Sequence, residues 1–285
     1  MNIRPVAQKI KAFEVTEGAG VTVHRTIGTP ALRNLDPFLM LDHFSSDDPD
    51  DYIAGFPNHP HRGFITFTYM LDGHMLHEDS MGNQGDLRSG GAQWMKAASG
   101  VIHSEMPQQT NGLMRGFQLW INLPANKKMS TPGYQEFAPE AIPVIETDDA
   151  TVKVLIGDYA GQRGRVDDPH TNVQYLDVAL RGGKTFTQAI ASDLRGFLYV
   201  FEGDATMAGT ALPTHSFAVL GDGDAVQISA GPRGARFILV AGRPINEPIV
   251  QYGPFVMNSR EEIEQAFADY RDGNLVKDKA SFISA

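Results

Sequence analysis

The sequence predicts an all-β protein of two β-barrels in tandem, followed by a short C-terminal helix. Three observations carry this reading. Short apolar-alternating runs recur along the chain, among them VTVHRTI, FITFTYML, RGFQLWINL, YLDVAL, RGFLYVFEG and ARFILVAG. Turn residues separate them, with 29 Gly and 17 Pro in 285 residues. Strands punctuated in this way imply a sandwich or barrel. The two halves also echo each other. TYMLDG and YVFEG each end an aromatic strand in a glycine turn, and QGDL and LGDGDAVQIS each lead into a later strand.

In chain order, strand-like runs fill the first half from Val21 to Leu123. The stretch 124–150 is rich in Pro and polar residues and has no clean periodicity, so a boundary is expected there. Runs resume at Val152 and continue to Gly242. The expected domains are 1–135 and 136–285. Helical spacing appears only late, where the segment Asn258-Ser259-Arg260-Glu261-Glu262 suggests a capped start. Ile263, Ala266, Phe267 and Tyr270 then fall on one helical face, and Gly273 supplies the stop.

Composition removes several function classes. Net charge is −10, which argues against direct nucleic-acid binding, since that needs clustered Lys and Arg. There are no cysteines, so disulfides, thiolate metal sites and cysteine nucleophiles are excluded together. No apolar run reaches the ~18 residues of a membrane helix. The first twenty residues lack the apolar core of a signal peptide. A cytoplasmic protein, monomeric and independent of membranes, is the expectation.

Two clusters point to chemistry. His59-Pro60-His61 and His103-Ser104-Glu105 each place two metal-capable side chains at i and i+2. On a strand such residues share a face, so two neighbouring strands can aim all four at one point. Three imidazoles and a carboxylate suit Fe, Ni, Cu, Mn or Zn in a site that keeps an open position. Other candidates have plainer readings. Gln93, Trp94 and Met95 lead towards the HxE strand, and the aromatic and the thioether read as core. Phe56, Phe64, Phe67 and Met106 could wall a flat aromatic pocket, with core packing the plainer reading. His74 and His77 read as solvated loop residues after a DG turn. His24, His43, His170 and His215 read as structural. Arg62 faces away from the histidines and pairs with a carboxylate.

The stretches FPNHPHRGF (56–64), TYMLDG (68–73), HEDSMGNQG (77–85), QWMKAASGVIHSEMP (93–107), RGFQLWINLP (115–124) and GPFVMNSREEIEQAFADYRDG (253–273) resemble the pirin family of the cupin superfamily. The middle, 130–245, matches mainly by strand pattern. The resemblance implies two cupin barrels of jelly-roll type, with metal only in the N-terminal one. It implies His59, His61, His103 and Glu105 as ligands of one divalent metal. Fe(II) is the expected ion, with Mn, Ni, Co or Cu as alternatives. It also implies a flavonol-like aromatic substrate and O2, cleaved in the manner of quercetin 2,3-dioxygenase with release of carbon monoxide. Glu105 would then act catalytically as well, accepting the flavonol hydroxyl proton. The alternative implied function is a metal- or redox-sensing regulator that works through a protein partner without turnover.

Two positions depart from the family pattern. Ile65 stands where a Glu is usual, and strand parity puts it on the face of His59 and His61 as an apolar wall. Asn83 stands where a His is frequent, in a Gly-flanked loop that suits a turn residue as well as a substrate contact.

Overall fold

The computed structural model describes residues 1–277 and the strand Ser281–Phe282. The chain is all-β, with two compact units that each draw on separate stretches of sequence. One unit comprises Glu14–Thr29, Phe38–Glu140 and Ile245–Ala285, and the other Met1–Phe13, Pro30–Pro37 and Ala141–Pro244. The division at 135/136 does not contain this exchange of terminal segments. Local periodicity tells that a segment is a strand, not which sheet takes it.

The unit that carries the paired histidines is a jelly-roll of two sheets. Its larger sheet has eight strands in the order Phe13–Glu17, Val21–Arg25, Phe38–Ser46, Met114–Asn122, Phe64–Asp72, Ala92–Lys96, Gly133–Phe137 and Ser281–Phe282. Its smaller sheet has four, in the order Phe56–His61, Val101–Pro107, His74–Asp79 and Gln84–Arg88. The long strand Phe64–Asp72 is buried along almost its whole length, because its apolar residues occupy both parities. A strand buried on both faces reads as a continuous apolar run rather than an alternation.

The stretch 124–150 is more ordered than its composition suggests. It holds the short helix Ala125–Lys128 and the strand Gly133–Phe137, which pairs antiparallel with Ala92–Lys96. The end segment adds the hairpin Val250–Tyr252 and Phe255–Met257 and the helix Arg260–Arg271. The Ser259 hydroxyl accepts from the Glu262 backbone N–H, and the Glu262 carboxylate accepts from the Ser259 N–H, so the start is a full capping box. Gly273 follows at φ +75°. The buried stripe is Ile263, Ala266 and Asp269, whereas Phe267 and Tyr270 are 36% and 41% exposed. The expected face is therefore rotated, because Asp269 turns inward to meet a buried arginine.

That arginine is Arg62, 1% exposed. It donates to Ser99 O at 2.7 Å, Asp269 Oδ2 at 2.8 Å and Leu275 O at 3.3 Å. The pairing with a carboxylate is as the sequence predicts. It ties the helix to the residue that follows the HxH strand.

The second unit is a nine-stranded sheet with the main order Val6–Lys11, Ser216–Leu220, Arg195–Met207, Ala225–Gly242, Gln174–Leu180, Ala150–Ile156 and Val144–Glu146. Its interior is an aliphatic and aromatic cluster including Val152, Leu176, Leu198, Phe237 and Leu239. The separate runs AVQIS and ARFILVAG form parts of one 18-residue strand.

Candidate metal centre

Three strands of the smaller sheet build the centre. His103 on Val101–Pro107 pairs directly with His59 on one side and Asp79 on the other. Two residues along, Glu105 pairs with Phe56 and His77. Directly opposed residues share a face of the sheet, so His59, His103, Glu105 and His77 all look one way. The HxH strand carries one extra residue between these rows. Such a bulge re-aims a side chain.

The rings of His59, His61 and His103 lie close, with centroids 4.6, 4.3 and 5.0 Å apart. Each offers a ligand atom, and all three atoms lie within 4.8 Å of one another. His103 also belongs to an overlapping group with His77 and Glu105 on the same criterion. The four residues singled out from the sequence therefore fall in two groups that share His103.

The hydrogen bonds set the tautomers. His59 Nδ1 lies 2.8 Å from Pro57 O, and His61 Nδ1 lies 3.4 Å from Pro254 O. A carbonyl only accepts, so each Nδ1 carries the proton and each Nε2 is left with a lone pair. His103 Nδ1 lies 3.4 Å from His77 Nδ1, while its buried Nε2 has no partner among the described residues. A buried nitrogen without a partner is costly unless something binds it. Burial first, then the neighbouring His59, hold the His61 ring well below the usual histidine range. Burial, His59, His61 and His77 do the same for His103. Both rings are thus neutral near pH 7, the form that binds metal. The donor set fits a borderline divalent ion with N and O ligands.

Glu105 is 5% exposed. Its Oε1 lies 3.1 Å from the Thr68 hydroxyl and accepts from Gln93 Nε2 at 3.4 Å. Oε2 takes no hydrogen bond from the described residues. Gln93 also donates to His77 Nδ1 at 3.0 Å, and the His77 ring stacks on Tyr134 with centroids 4.6 Å apart. The Tyr134 hydroxyl reaches Glu136 Oε2 at 2.7 Å and Gln93 Oε1 at 3.1 Å. Burial, with Glu136 beside it, pushes the Tyr134 pKa up, so the phenol stays protonated.

A cavity of about 640 Å³ opens beside His59, His61 and Glu105. Trp120, Phe44, Phe56, Met40 and Met75 contribute apolar wall. Trp120 packs edge-on to His61 at 5.1 Å and tilted against Phe64 at 4.2 Å.

Several sequence expectations change here. His77 is not a solvated loop residue; it is 1% exposed and sits within a strand. The DG turn is so tight that the next strand starts at His74 and carries His77 within it. Gln93 on the strand Ala92–Lys96 bridges His77 and Glu105. Ile65 does not wall the centre. Arg62 and Gly63 break the strand, with Gly63 at φ +92°, and parity restarts at Phe64. Thr68 lines the cavity, so Ile65 lies on the opposite face with Phe67 and Tyr69. Asn83 is 6% exposed and donates to Asp79 Oδ2 at 2.8 Å. Tyr134 and Pro254 come from segments far along the chain, and no local signal marks them.

The chain matches the Pirin family over residues 20–121 and the Pirin C-terminal cupin domain over residues 175–276. A pirin-like protein of Caulobacter vibrioides is 48% identical over 277 residues, which is 96% of this chain and 100% of that one. The crystal structure of a quercetin 2,3-dioxygenase from Acinetobacter baumannii is similar at TM-score 0.89 and 30% identity, covering 96% of this chain and 98% of that one. A bacterial pirin of Escherichia coli, YhhW in complex with nickel(II), shares the fold at TM-score 0.66 and 21% identity, covering 83% of this chain and 98% of that one.

Proposed function

The chain belongs to the pirin family, and we propose that it is a mononuclear metalloprotein that cleaves flavonols such as quercetin with O2 and releases carbon monoxide. The observation that carries this reading is the convergence of three imidazoles, each with Nε2 left for a ligand, beside a carboxylate on an apolar-walled cavity. The likeness to a quercetin 2,3-dioxygenase supports it.

In this reading His59, His61, His103 and Glu105 hold one divalent ion, with Fe(II) expected and Mn, Ni, Co or Cu as alternatives. When bound, the ion supplies Lewis acidity and open coordination positions for the reactants. Glu105 has a second task. Thr68 and Gln93 occupy Oε1, and Oε2 takes the proton of the substrate hydroxyl. Trp120, Phe44 and Phe56 exclude water and keep a flat ring in the plane that the cavity allows.

A regulatory reading has one observation in its favour. The hairpin that holds His61 through Pro254 O also carries Tyr252, which is 69% exposed and lies against Phe267. A change at the metal would reach that aromatic surface and a protein partner on it. Oxygen consumption with quercetin separates the two. Protein reconstituted with each candidate metal consumes oxygen as a dioxygenase and loses this in Glu105→Ala. A sensor binds metal stoichiometrically and consumes none.

A further inference from the structure

A polar row runs across the larger sheet, and Thr68, Gln118, Asp42 and Arg25 of it line the cavity. Register sets Glu136 opposite Gln93, Gln93 opposite Thr68, Thr68 opposite Gln118, Gln118 opposite Asp42, and Asp42 opposite Arg25. Opposed residues share a face, so six strands contribute one continuous polar line. The line flanking it holds Met70, Gly116, Phe44 and Val23. The line on its other side holds Trp120 and Met40 next to Thr66. Polar side chains inside a barrel are costly unless paired or used.

Part of the row is paired internally. Arg25 grips Asp42 through Nε at 2.7 Å and Nη2 at 2.6 Å, and its Nη1 lies 2.7 Å from Glu17. Burial pushes the Asp42 carboxyl pKa up, and the Arg25 fork works against that rise. One guanidinium thus faces two carboxyl groups, and no other cation of the described residues stands at that end of the row. The Thr68 hydroxyl lies 2.7 Å from Gln118 Oε1 and 3.1 Å from Glu105 Oε1, and its single proton serves one at a time. The Gln118 amide nitrogen has no partner among the described residues, and Gln118, Asp42, Arg25 and Glu17 all line the cavity. Strands lie about 4.8 Å apart, so Asp42 sits roughly 10 Å from Thr68, close to the length of a three-ring aromatic.

We propose that this row is the specificity track of the cavity, and that its ligand is an uncharged, hydroxylated aromatic. The ligand lies with its polar edge along the row. It sets an acceptor atom against the Gln118 amide and a hydroxyl donor against the Asp42–Glu17 end. Anionic conjugates are rejected, because the one cation there is already engaged by two carboxyl groups. The flavonol ring system rests on the dioxygenase reading; the preference for neutral hydroxyl donors concerns binding alone.

The test is equilibrium binding to the full chain, read by tryptophan fluorescence. The probes are quercetin, the flavonol that lacks both hydroxyls on the pendant ring, and quercetin sulfonated on that ring. A hydrogen bond to a charged group predicts at least about tenfold tighter binding of quercetin than of the unhydroxylated flavonol. The sulfonate is expected to bind most weakly. Glu17→Gln, an isosteric change near the surface, is expected to narrow the gap between quercetin and its sulfonate. Gln118→Leu is expected to weaken every probe. Equal binding of the three probes, or a gap untouched by Glu17→Gln, would overturn the track. Ranked binding without oxygen uptake would leave the track standing and sink the dioxygenase reading. Binding of none of the probes would overturn both.

Discussion

His77 Nδ1 lies 3.4 Å from His103 Nδ1, and the two nitrogens cannot both carry a proton and bond. Gln93 decides between them. Its amide nitrogen faces the Glu105 carboxylate, which only accepts, and the same nitrogen donates to His77 Nδ1 at 3.0 Å. His77 therefore accepts at Nδ1 and holds its proton on Nε2, which lies 3.4 Å from Asp79 Oδ2. His103 donates from Nδ1 and keeps a lone pair on Nε2. Asp79, His77 and His103 form a line that fixes the tautomer of a proposed ligand.

Loosening that line is expected to weaken the metal without unfolding the barrel. His77→Gln and Asp79→Asn should each lower metal affinity by about 10- to 100-fold, the usual effect of removing a group that orients a ligand. Chelator competition measures the affinity, and the electronic spectrum of the Cu(II) form reports altered ligand geometry. A merely structural role would leave that spectrum unchanged.

Gly63 is where the HxH strand meets the end hairpin. Its φ is +92°, and a Cβ there would stand 1.9 Å from Val256 O. The Lys128 ammonium bridges both carbonyls, at 2.7 Å to Gly63 O and 3.0 Å to Val256 O. Gly63→Ala should cost more than the ~1–3 kcal/mol of backbone strain alone, because the hairpin must also move. Gly82→Ala is the control, since Gly82 has φ +83° but open space around its Cβ position. Urea unfolding of both variants separates the clash from the strain.

Asp269 gives a pH signature. Burial raises its pKa, but hydrogen bonds from Gln265 and Arg62 outweigh this and hold it below the ordinary value, about 3.9 in unfolded chains. A depressed carboxyl stabilises fully above the unfolded pKa and loses that contribution as pH falls through the folded one. Asp269→Asn should therefore cost about 1–3 kcal/mol near neutrality, as for other hydrogen bonds to a charged group. The difference from wild type should shrink below about pH 4. A gap that stayed constant into acid would show that the carboxylate's charge does not matter.

The fold was legible because alternation and turn residues are local signals. VTVHRTI and RGFQLWINL announce strands whichever sheet receives them. The paired histidines were legible for the same reason, since i and i+2 share a face of any strand. What stayed hidden depends on distant segments or on a broken register. Tyr134 meets His77 because a Pro-rich stretch closes the sheet, and Pro254 O reaches His61 from 193 residues away. Parity misplaced Ile65 because the Arg62–Gly63 break resets the alternation.

Metal content per chain after reconstitution, in wild type and in His103→Ala, tests the proposed centre most directly. The expected result is one ion per wild-type chain and almost none in the variant, with circular dichroism unchanged. A variant that keeps a stoichiometric ion would contradict the assignment of His103, the residue shared by both clusters, and with it the proposed centre.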